Sequence, residues 1–441
     1  MAQTQDTQSR NTIHFLHFTY DCDDRSSLTL LANDVRFHIE ANPSALQKSS
    51  EKAIYHEYLD KLHALRSAEK REHDAAGTKK PASSTQKQSE RSDKDSAVDV
   101  TADEEVRQDP QQDSLSAEHD LRMWLLSSLT DVIEESAPPD RAPEPSSIHD
   151  WYHGPTYFYE LVVQDGKLTP QLLEGSEDLD AQIEDLVPRL KMPQYIQKIA
   201  VPWMNAHGLT VQSEVAFPEP AHPGKVTDAS GAIFFFKPVV PDQPGPTKRE
   251  IAVLQKIEKL GLDIKVPKLL GFVGVENSCT EAMGFLLSHI ERPVPLTEVL
   301  ASSVAEWKRE GWSKKSKYYV DTLHKHGIIW GDAKADNFIV DEDDELWIID
   351  FGGSYTEGWI DPEISDTKEG DDQGLEKVQD VLLHPEDERL QHGNATPNPA
   401  ATVRETASSL FVTEAPTKRG HDGEEDYSTR PPKRGRRESS E

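Results

Sequence analysis

Apolar positions along the chain fall into blocks of different period, separated by long polar stretches. Residues 13–20, 28–31 and 35–39 are short apolar runs that predict strands or buried segments. From Ser44 to about Lys70, Ile54, Tyr58, Leu62 and Leu65 recur at the spacing of one helix face, and alternating charges between them predict a solvated outer face. Residues 1–67 therefore read as an N-terminal segment of strands and a helix. Residues 68–115 are mostly Lys, Asp, Glu, Ser and Gln with almost no large apolar side chains, which predicts disorder. An amphipathic helix follows Ser116, its face carrying Leu121, Met123, Trp124, Leu125, Leu129, Val132 and Ile133. The proline-rich stretch 137–145 ends it as a linker, closing a segment of 116–150. Residues 151–163 are aromatic and strand-like and open an ordered extension, 151–194, with Leu179, Ile183, Leu186 and Leu190 at helical intervals.

A compact unit follows over 195–384. Residues 232–237 predict a strand ending at Lys237, and the stretch around Gly224 and Gly231 predicts a plain hairpin leading into it. After a proline-rich loop, Ile251, Leu254 and Ile257 mark the buried face of a helix with Glu250 in its first turn. Residues 266–275 and 284–290 read as paired strands. Thr297 and Ser313 are positioned to cap two helices, the second carrying Tyr319, Val320 and Leu323 into Gly327, where a left-handed glycine stops it. Residues 338–340 and 346–349 flank the acidic run 341–345, the pattern of a hairpin with a solvated turn. Beyond about Leu383 the pattern dissolves, and 385–441 reads as a disordered tail.

Composition narrows the function classes. The 441 residues have room for two domains, or for one domain with large disordered parts, and only 35% are hydrophobic. A formal net charge of -31 argues against direct nucleic-acid binding, since a phosphate backbone demands a Lys/Arg surface. Cys22 and Cys279 supply neither a disulfide framework nor zinc spacing, which suits a reducing, intracellular compartment. No apolar run approaches bilayer length, and the polar N-terminus with Asp6 does not read as a signal peptide, so no membrane partner is expected. His14, His17 and His38 lack tight ligand spacing and read as surface or packing histidines.

The chemistry concentrates in 323–353. Asp332 and Asn337 flank a loop entering one strand of the hairpin, and Asp350 leaves the other, so the order gathers three oxygen-bearing side chains near one point. Such a cluster suits a hard cation such as Mg2+, which takes a few protein oxygens together with substrate phosphates. Asp332-x-Lys334-x-x-Asn337 followed by Asp350-Phe-Gly, with its lead-in at 323–329, resembles the core of the eukaryotic protein-kinase superfamily. It is most similar to a divergent protein-kinase-like family abundant in filamentous fungi.

That resemblance implies an α+β, bilobal protein-kinase-like fold with an N-lobe of about 195–290 and a truncated C-lobe of about 291–384, preceded by a mixed N-terminal region and flanked by disorder. It implies ATP and Mg2+ as cofactors, Asp332 as catalytic base and Lys334 as the partner of the γ-phosphate. Asn337 and Asp350 would hold metal, and Lys237 paired with Glu250 would grip the α- and β-phosphates. Residues 288–292 would form the hinge that binds adenine, with Ser288, His289 and Ile290 as its candidate residues. Asp371 or Asp372 would brace the catalytic loop, and Asp361-Pro-Glu363 would close the activation segment, giving Glu363 a supporting role.

Three departures bear on function. No Gly-x-Gly-x-x-Gly precedes Lys237, and Trp330 and Gly331 stand where His-Arg is usual, which removes the arginine that reads a phosphorylated activation loop. Ser354, Tyr355 and Thr356 accordingly read as ordinary loop residues, and Trp330 as the packing substitute for the missing histidine. Three classes remain open: a Ser/Thr-type protein kinase-like enzyme acting on an unknown protein, a small-molecule kinase of the aminoglycoside or choline type, and a pseudokinase scaffold. Lys418-Arg419 and the basic cluster 430–437 resemble a bipartite nuclear-import signal, implying an import receptor as partner and nuclear, otherwise cytoplasmic, residence.

Overall fold

A computed structural model of the chain describes residues 12–48, 52–78, 110–138, 145–216, 220–300, 303–353, 356 and 358–385. The architecture is α+β. Strands β1 (Ile13–Tyr20), β2 (Ser26–Ala32) and β3 (Val35–Ala41) form an antiparallel meander. A short helix α1 (Pro43–Leu46), capped by Asn42, leads to α2 (Ala53–Thr78), which packs against α3 (Pro110–Ser127); α4 (Thr130–Ser136) follows. The core between sheet and helices holds Leu28, Leu30, Phe37, Ile39, Tyr58, Leu62, Leu121 and Leu125. The spacing of Tyr58, Leu62 and Leu65 thus marks the face that is buried. The helix runs past residue 67, as far as Thr78, because Ala68 still reaches the core, so the expected disorder does not begin there. Residues 79–109, most of that stretch, lie outside the described residues.

Residues 151–163 split into two elements. Ser147 and Asp150 form a capping box that starts helix α5 (Ile148–His153), taking Trp151 and Tyr152 out of the expected strand. Strand β4 (Thr156–Gln164) then pairs parallel with β3 and antiparallel with β5 (Lys167–Leu172), completing a five-stranded sheet in the order β1-β2-β3-β4-β5. The segment 151–194 is therefore continuous with the N-terminal sheet. Buried Arg36 fixes the junction by donating to the carbonyls of Gly154 and Trp151. Helix α6 (Glu177–Glu184) follows, and Leu190 falls in the next strand instead of extending the helix.

The second sheet draws on β6 (Leu190–Lys191), then, after α7 (Gln194–Gln197), on β7 (Trp203–Asn205) and β8 (Leu209–Val211). The small ribbon β9 (Glu214–Val215) and β10 (His222–Pro223) lies between β8 and β11 (Lys225–Asp228), and β12 (Ile233–Pro238) carries Lys237. Helix α8 (Pro244–Leu260) leads to β13 (Leu269–Gly274) and β14 (Glu281–Ser288). The strand order is β7-β13-β14-β12-β11-β8, with β6 pairing β14. The paired-strand readings for 266–275 and 284–290, and for the hairpin into Lys237, match this register. Leu16, Leu31, Trp151, Phe236, Val273 and Leu286 belong to one apolar cluster that joins the two sheets.

The remainder is mostly helical. β15 (Val294–Pro295) and α9 (Leu296–Leu300) precede α10 (Glu306–Lys325), the hairpin β16 (Phe338–Val340) and β17 (Leu346–Ile348), and α11 (Lys368–Leu383). Neither expected cap forms. Thr297 lies inside α9 and donates to Asp336 instead, and Ser313 is buried within α10, which begins seven residues earlier at Glu306. Gly327 does stop α10, at φ +63°, with Ile328 N donating back to Leu323 O. Among the described residues no helix is long and apolar enough to cross a membrane. The tail from 386 onward, with both basic clusters, lies outside the described residues.

Phe37 is fully buried in the first core. Phe37→Ala should cost about 3–5 kcal/mol of stability, read as a lowered urea midpoint of the first unfolding transition.

Candidate functional site

The hairpin assembles the site. Phe338 pairs with Ile348, and Ile349 N donates to Asn337 O at 3.0 Å, so the two strands leave Asn337 and Asp350 side by side at the open end. The opposite end is closed by Asp341, whose Oδ1 accepts from Asp343 N and Glu345 N. Asp350 adopts φ +57°, a left-handed backbone that Asp tolerates better than most residues. Fully buried Trp330 holds that turn: its Nε1 donates to Ile349 O at 3.0 Å and Asp350 O at 2.9 Å, and its ring packs edge-on against Phe338. The packing role expected for Trp330 is thus accompanied by a hydrogen-bonding one.

Lys237 meets this turn from the second sheet. Its strand pairs with β14 (Lys237 opposite Phe285), and its Nζ lies 2.7 Å from Glu250 Oε2 and 3.2 Å from Asp350 Oδ1. Glu250 is almost fully buried and sits in the second turn of α8, because the helix begins at Pro244 and not at Thr247. Helix-dipole compensation fades within the first turn, so the ion pair is what accounts for Glu250. Burial works against the Lys237 ammonium, but the Glu250 and Asp350 carboxylates more than offset it and raise its pKa above the ordinary lysine value. Burial pushes the Glu250 carboxyl up, against the pull of Lys237. Burial also works against charge on Asp350, yet Lys237 and the Gly352 N–H hold its carboxyl below the usual range.

Asp332 lies beside this trio, only 7% exposed. Its Oδ2 accepts from Lys334 Nζ at 2.9 Å and Asn337 Nδ2 at 3.0 Å, and its Oδ1 accepts from Thr356 Oγ1 at 2.9 Å. Lys334 also donates to Thr356 Oγ1 at 2.9 Å, closing a ring of Asp332, Lys334 and Thr356. A carboxylate offers about four acceptor positions, so three partners leave Oδ1 with one free direction. Among the described residues, no hydrogen bond occupies Asn337 Oδ1 or Asp350 Oδ2, because the Asn337 amide N–H groups serve Asp332 and Lys237 and Gly352 both use Asp350 Oδ1. These two oxygens are hard donors of the kind Mg2+ takes. Thr356, expected to be an ordinary loop residue, instead bonds both Asp332 and Lys334, a long-range contact that no local spacing reports; Ser354 and Tyr355 lie outside the described residues.

The loop is braced from below by Asp371, which is fully buried in the first turn of α11. Its carboxylate accepts from Trp330 N and Gly331 N, both at 2.7 Å, and lies 2.9 Å from His324 Nε2. Asp372 is half exposed and, among the described residues, pairs with His324 alone, so of the two candidates Asp371 is the brace. Gly374 on α11 approaches so closely that an added Cβ would lie 2.1 Å from Ala333 O. From the other side, Arg249 on α8 donates to Ile329 O, Trp330 O and Phe351 O, each at 3.1 Å, and lies 3.4 Å from Asp366. It fills the space over Gly331, φ +97°, where a Cβ would come within 2.6 Å of both guanidinium nitrogens. The absence of a side chain at 331 is legible in the sequence; Arg249, which fills the space beside it, is not.

Two further expectations fare differently. Glu363 is exposed on the short turn Pro362–Ile364, and among the described residues its side chain makes no hydrogen bond or ion pair; Asp366, further along, takes the supporting role by pairing with Arg249. Ser288 ends β14 opposite Phe234 and accepts from Lys268 N through its hydroxyl. His289 and buried Ile290 follow at the junction with the helical part, and burial lowers the His289 pKa. No protein-family model matches the chain, and a search of curated proteins returns no match.

Asp371→Asn replaces one of two acceptor oxygens with a donor facing a backbone N–H. It should cost about 2–3 kcal/mol, whereas Asp372→Asn should stay within about 0.5 kcal/mol; chemical denaturation of the two variants makes the comparison. Because the Asp350 carboxyl is held below its unfolded-state value, its stabilisation is complete above that value, about 3.9, and is lost as pH falls through the folded value. Asp350→Asn should therefore narrow the stability gap to wild type as the pH of the melt is lowered below 4.

Proposed function

We propose that the chain is a Mg-ATP-dependent phosphotransferase with a bilobal protein-kinase-like fold, acting on hydroxyl groups of the Ser/Thr type in a protein. The observation that carries this reading is the convergence of Glu250 and Asp350 on the Lys237 ammonium, at 2.7 and 3.2 Å, beside Asp332 and Asn337. Lys237 is compensated by two carboxylates yet keeps part of its side chain exposed, so its ammonium is within reach of a phosphate-bearing ligand, and strongly perturbed charged groups of this kind cluster at functional sites. The strand order β13-β14-β12-β11-β8, with α8 between β12 and β13, supports a sheet-rich lobe above a helical one. Only α9, α10 and α11 represent the helical lobe among the described residues, in keeping with a truncated second lobe.

In this reading Lys237 would bind the α- and β-phosphates with Glu250 orienting it, while Asn337 and Asp350 would hold Mg2+. Bound Mg-ATP supplies the electrophilic γ-phosphoryl group and the cation that offsets its charge. The free direction on Asp332 Oδ1 accepts the substrate hydroxyl's proton. Lys334, anchored by Asp332 and Thr356, neutralises the charge that develops on the transferred group. Ser288, His289 and Ile290 supply the adenine-binding hinge. The tail's basic clusters direct the protein to the nucleus through an import receptor.

A second reading, a scaffold that binds nucleotide weakly or not at all, is favoured by the connection from β8 to β11. It contains one glycine, Gly224, and is shaped by the ribbon β9/β10. A glycine-poor lid offers fewer free backbone N–H groups to phosphates. A small-molecule kinase is the third reading, favoured by Gly331-Asp332 and disfavoured by Lys334.

Melting with and without Mg-ATP separates the readings. At a hundredfold excess over Kd the wild type should gain about 2.7 kcal/mol, and Asp350→Asn should lose that gain. Asp332→Asn should keep it while phosphotransfer to a hydroxyl-peptide library falls at least about a hundredfold. A chain whose melting ignores Mg-ATP leaves the scaffold standing, and transfer to aminoglycoside or choline but not to peptides selects the third reading.

A further inference from the structure

Away from the Lys237 site, three imidazoles stack on one another. Helix α5 places His149 and His153 four residues apart on one face, with ring centroids 4.1 Å apart and planes 11° from parallel. On its other face His149 stacks on His207, centroids 3.7 Å apart. His207 belongs to a single 3-10 turn (Ala206–Gly208) between β7 and β8, started by Asn205, whose side chain accepts from His207 N. Backbone contacts hold the two elements together: Val211 N donates to Ser146 O at 2.9 Å, and Ser147 bridges Thr210. Both ends of the cluster are thus anchored in the backbone, and neither depends on a long loop.

Asp150 completes the group. Its Oδ2 accepts from the Ser147 hydroxyl at 2.7 Å, and its Oδ1 lies 3.3 Å from His149 Nδ1. The Ser147 bond orients the carboxylate. One ligand atom from each of His149, Asp150 and His207 lies within 4.8 Å of the others. Tetrahedral zinc with bonds of about 2.0–2.1 Å needs ligand atoms roughly 3.4 Å apart. Asp150 and His207 are exposed and His149 is half-buried, so side-chain rotation can close that difference without moving the backbone. His153 backs the cluster: its Nδ1 bonds His149 O, and its Nε2 lies 3.3 Å from Glu184.

We propose that His149, His207 and Asp150 form a binding site for a divalent transition-metal ion of the zinc type, independent of the Lys237 site. Two imidazoles and a carboxylate make a borderline donor set that takes Zn2+ in preference to Mg2+ or Ca2+, which seek all-oxygen surroundings. Bound metal would staple α5, which follows the N-terminal helices, to the turn that starts β8 at the edge of the second sheet. Among the described residues no other group of three His, Cys, Asp or Glu side chains meets this geometry.

The test uses the full-length chain carrying no histidine tag. Zn2+ titrated in competition with a chromophoric chelator should fill one site per chain, in the presence of millimolar Mg2+. Occupancy should fall on acidification, because protons compete with the metal for its ligand atoms. His149→Ala combined with His207→Ala should weaken binding at least tenfold, while His153→Asn stays within threefold of wild type. Metal-free melting and far-UV spectra should match across all three proteins, which excludes misfolding as the cause. Equal affinity in the double variant, or no saturable binding by the wild type, overturns the proposal. Mg-ATP melting is unaffected by either result, so the site stands or falls apart from the phosphotransferase reading.

Discussion

A single ammonium group between two carboxylates ties the molecule's second half together. Lys237 comes from β12, Glu250 from α8 and Asp350 from the end of the β16–β17 hairpin, three elements far apart in sequence. Each charge alone would be expensive to remove from water; together they offset one another, provided all three elements are in place. The contact therefore acts as a check on assembly as much as a source of stability. If α8 rotates or the hairpin shifts, the buried Glu250 carboxylate loses its partner.

The loop next to this trio is held from three directions. Trp330 fastens the Asp350 turn through its indole N–H, Asp371 grips the backbone at residues 330 and 331, and Arg249 descends from α8 onto three carbonyls. Gly331 makes room for Arg249, and Asp366 supplies a fixed negative charge to it. A carboxylate carried by the chain itself needs no modification to be present. The loop geometry consequently has a permanent electrostatic partner on this side.

What the sequence disclosed was whatever depends on short-range pattern. The 338–349 hairpin, the Gly327 helix stop and the buried faces of α2 and α8 follow from periodicity and turn chemistry, and Lys237, Glu250, Asp332, Asn337 and Asp350 were named at the positions that come together. What stayed hidden depends on long-range placement. Thr356 bonds Asp332 across 24 positions, Arg249 acts across 81 positions on Trp330, and β4 joins a sheet begun more than a hundred residues earlier. The caps at Thr297 and Ser313 failed because capping preference is weak against packing: Ser313 was more useful inside a helix, where its carbonyl accepts from Ser316 and Gln379.

The parallel pairing of β3 with β4 has a bearing on how the chain is made. Arg36 and Gly154, bonded across that junction, are separated by 118 positions. During synthesis the meander β1–β3 emerges first and must wait, with one row of its amide and carbonyl groups unpaired, until residues 156–164 leave the ribosome. Closing so long a loop is entropically slow. The nascent chain thus carries a sticky strand edge for many seconds of translation, and this edge is where chaperone capture or premature self-association would begin.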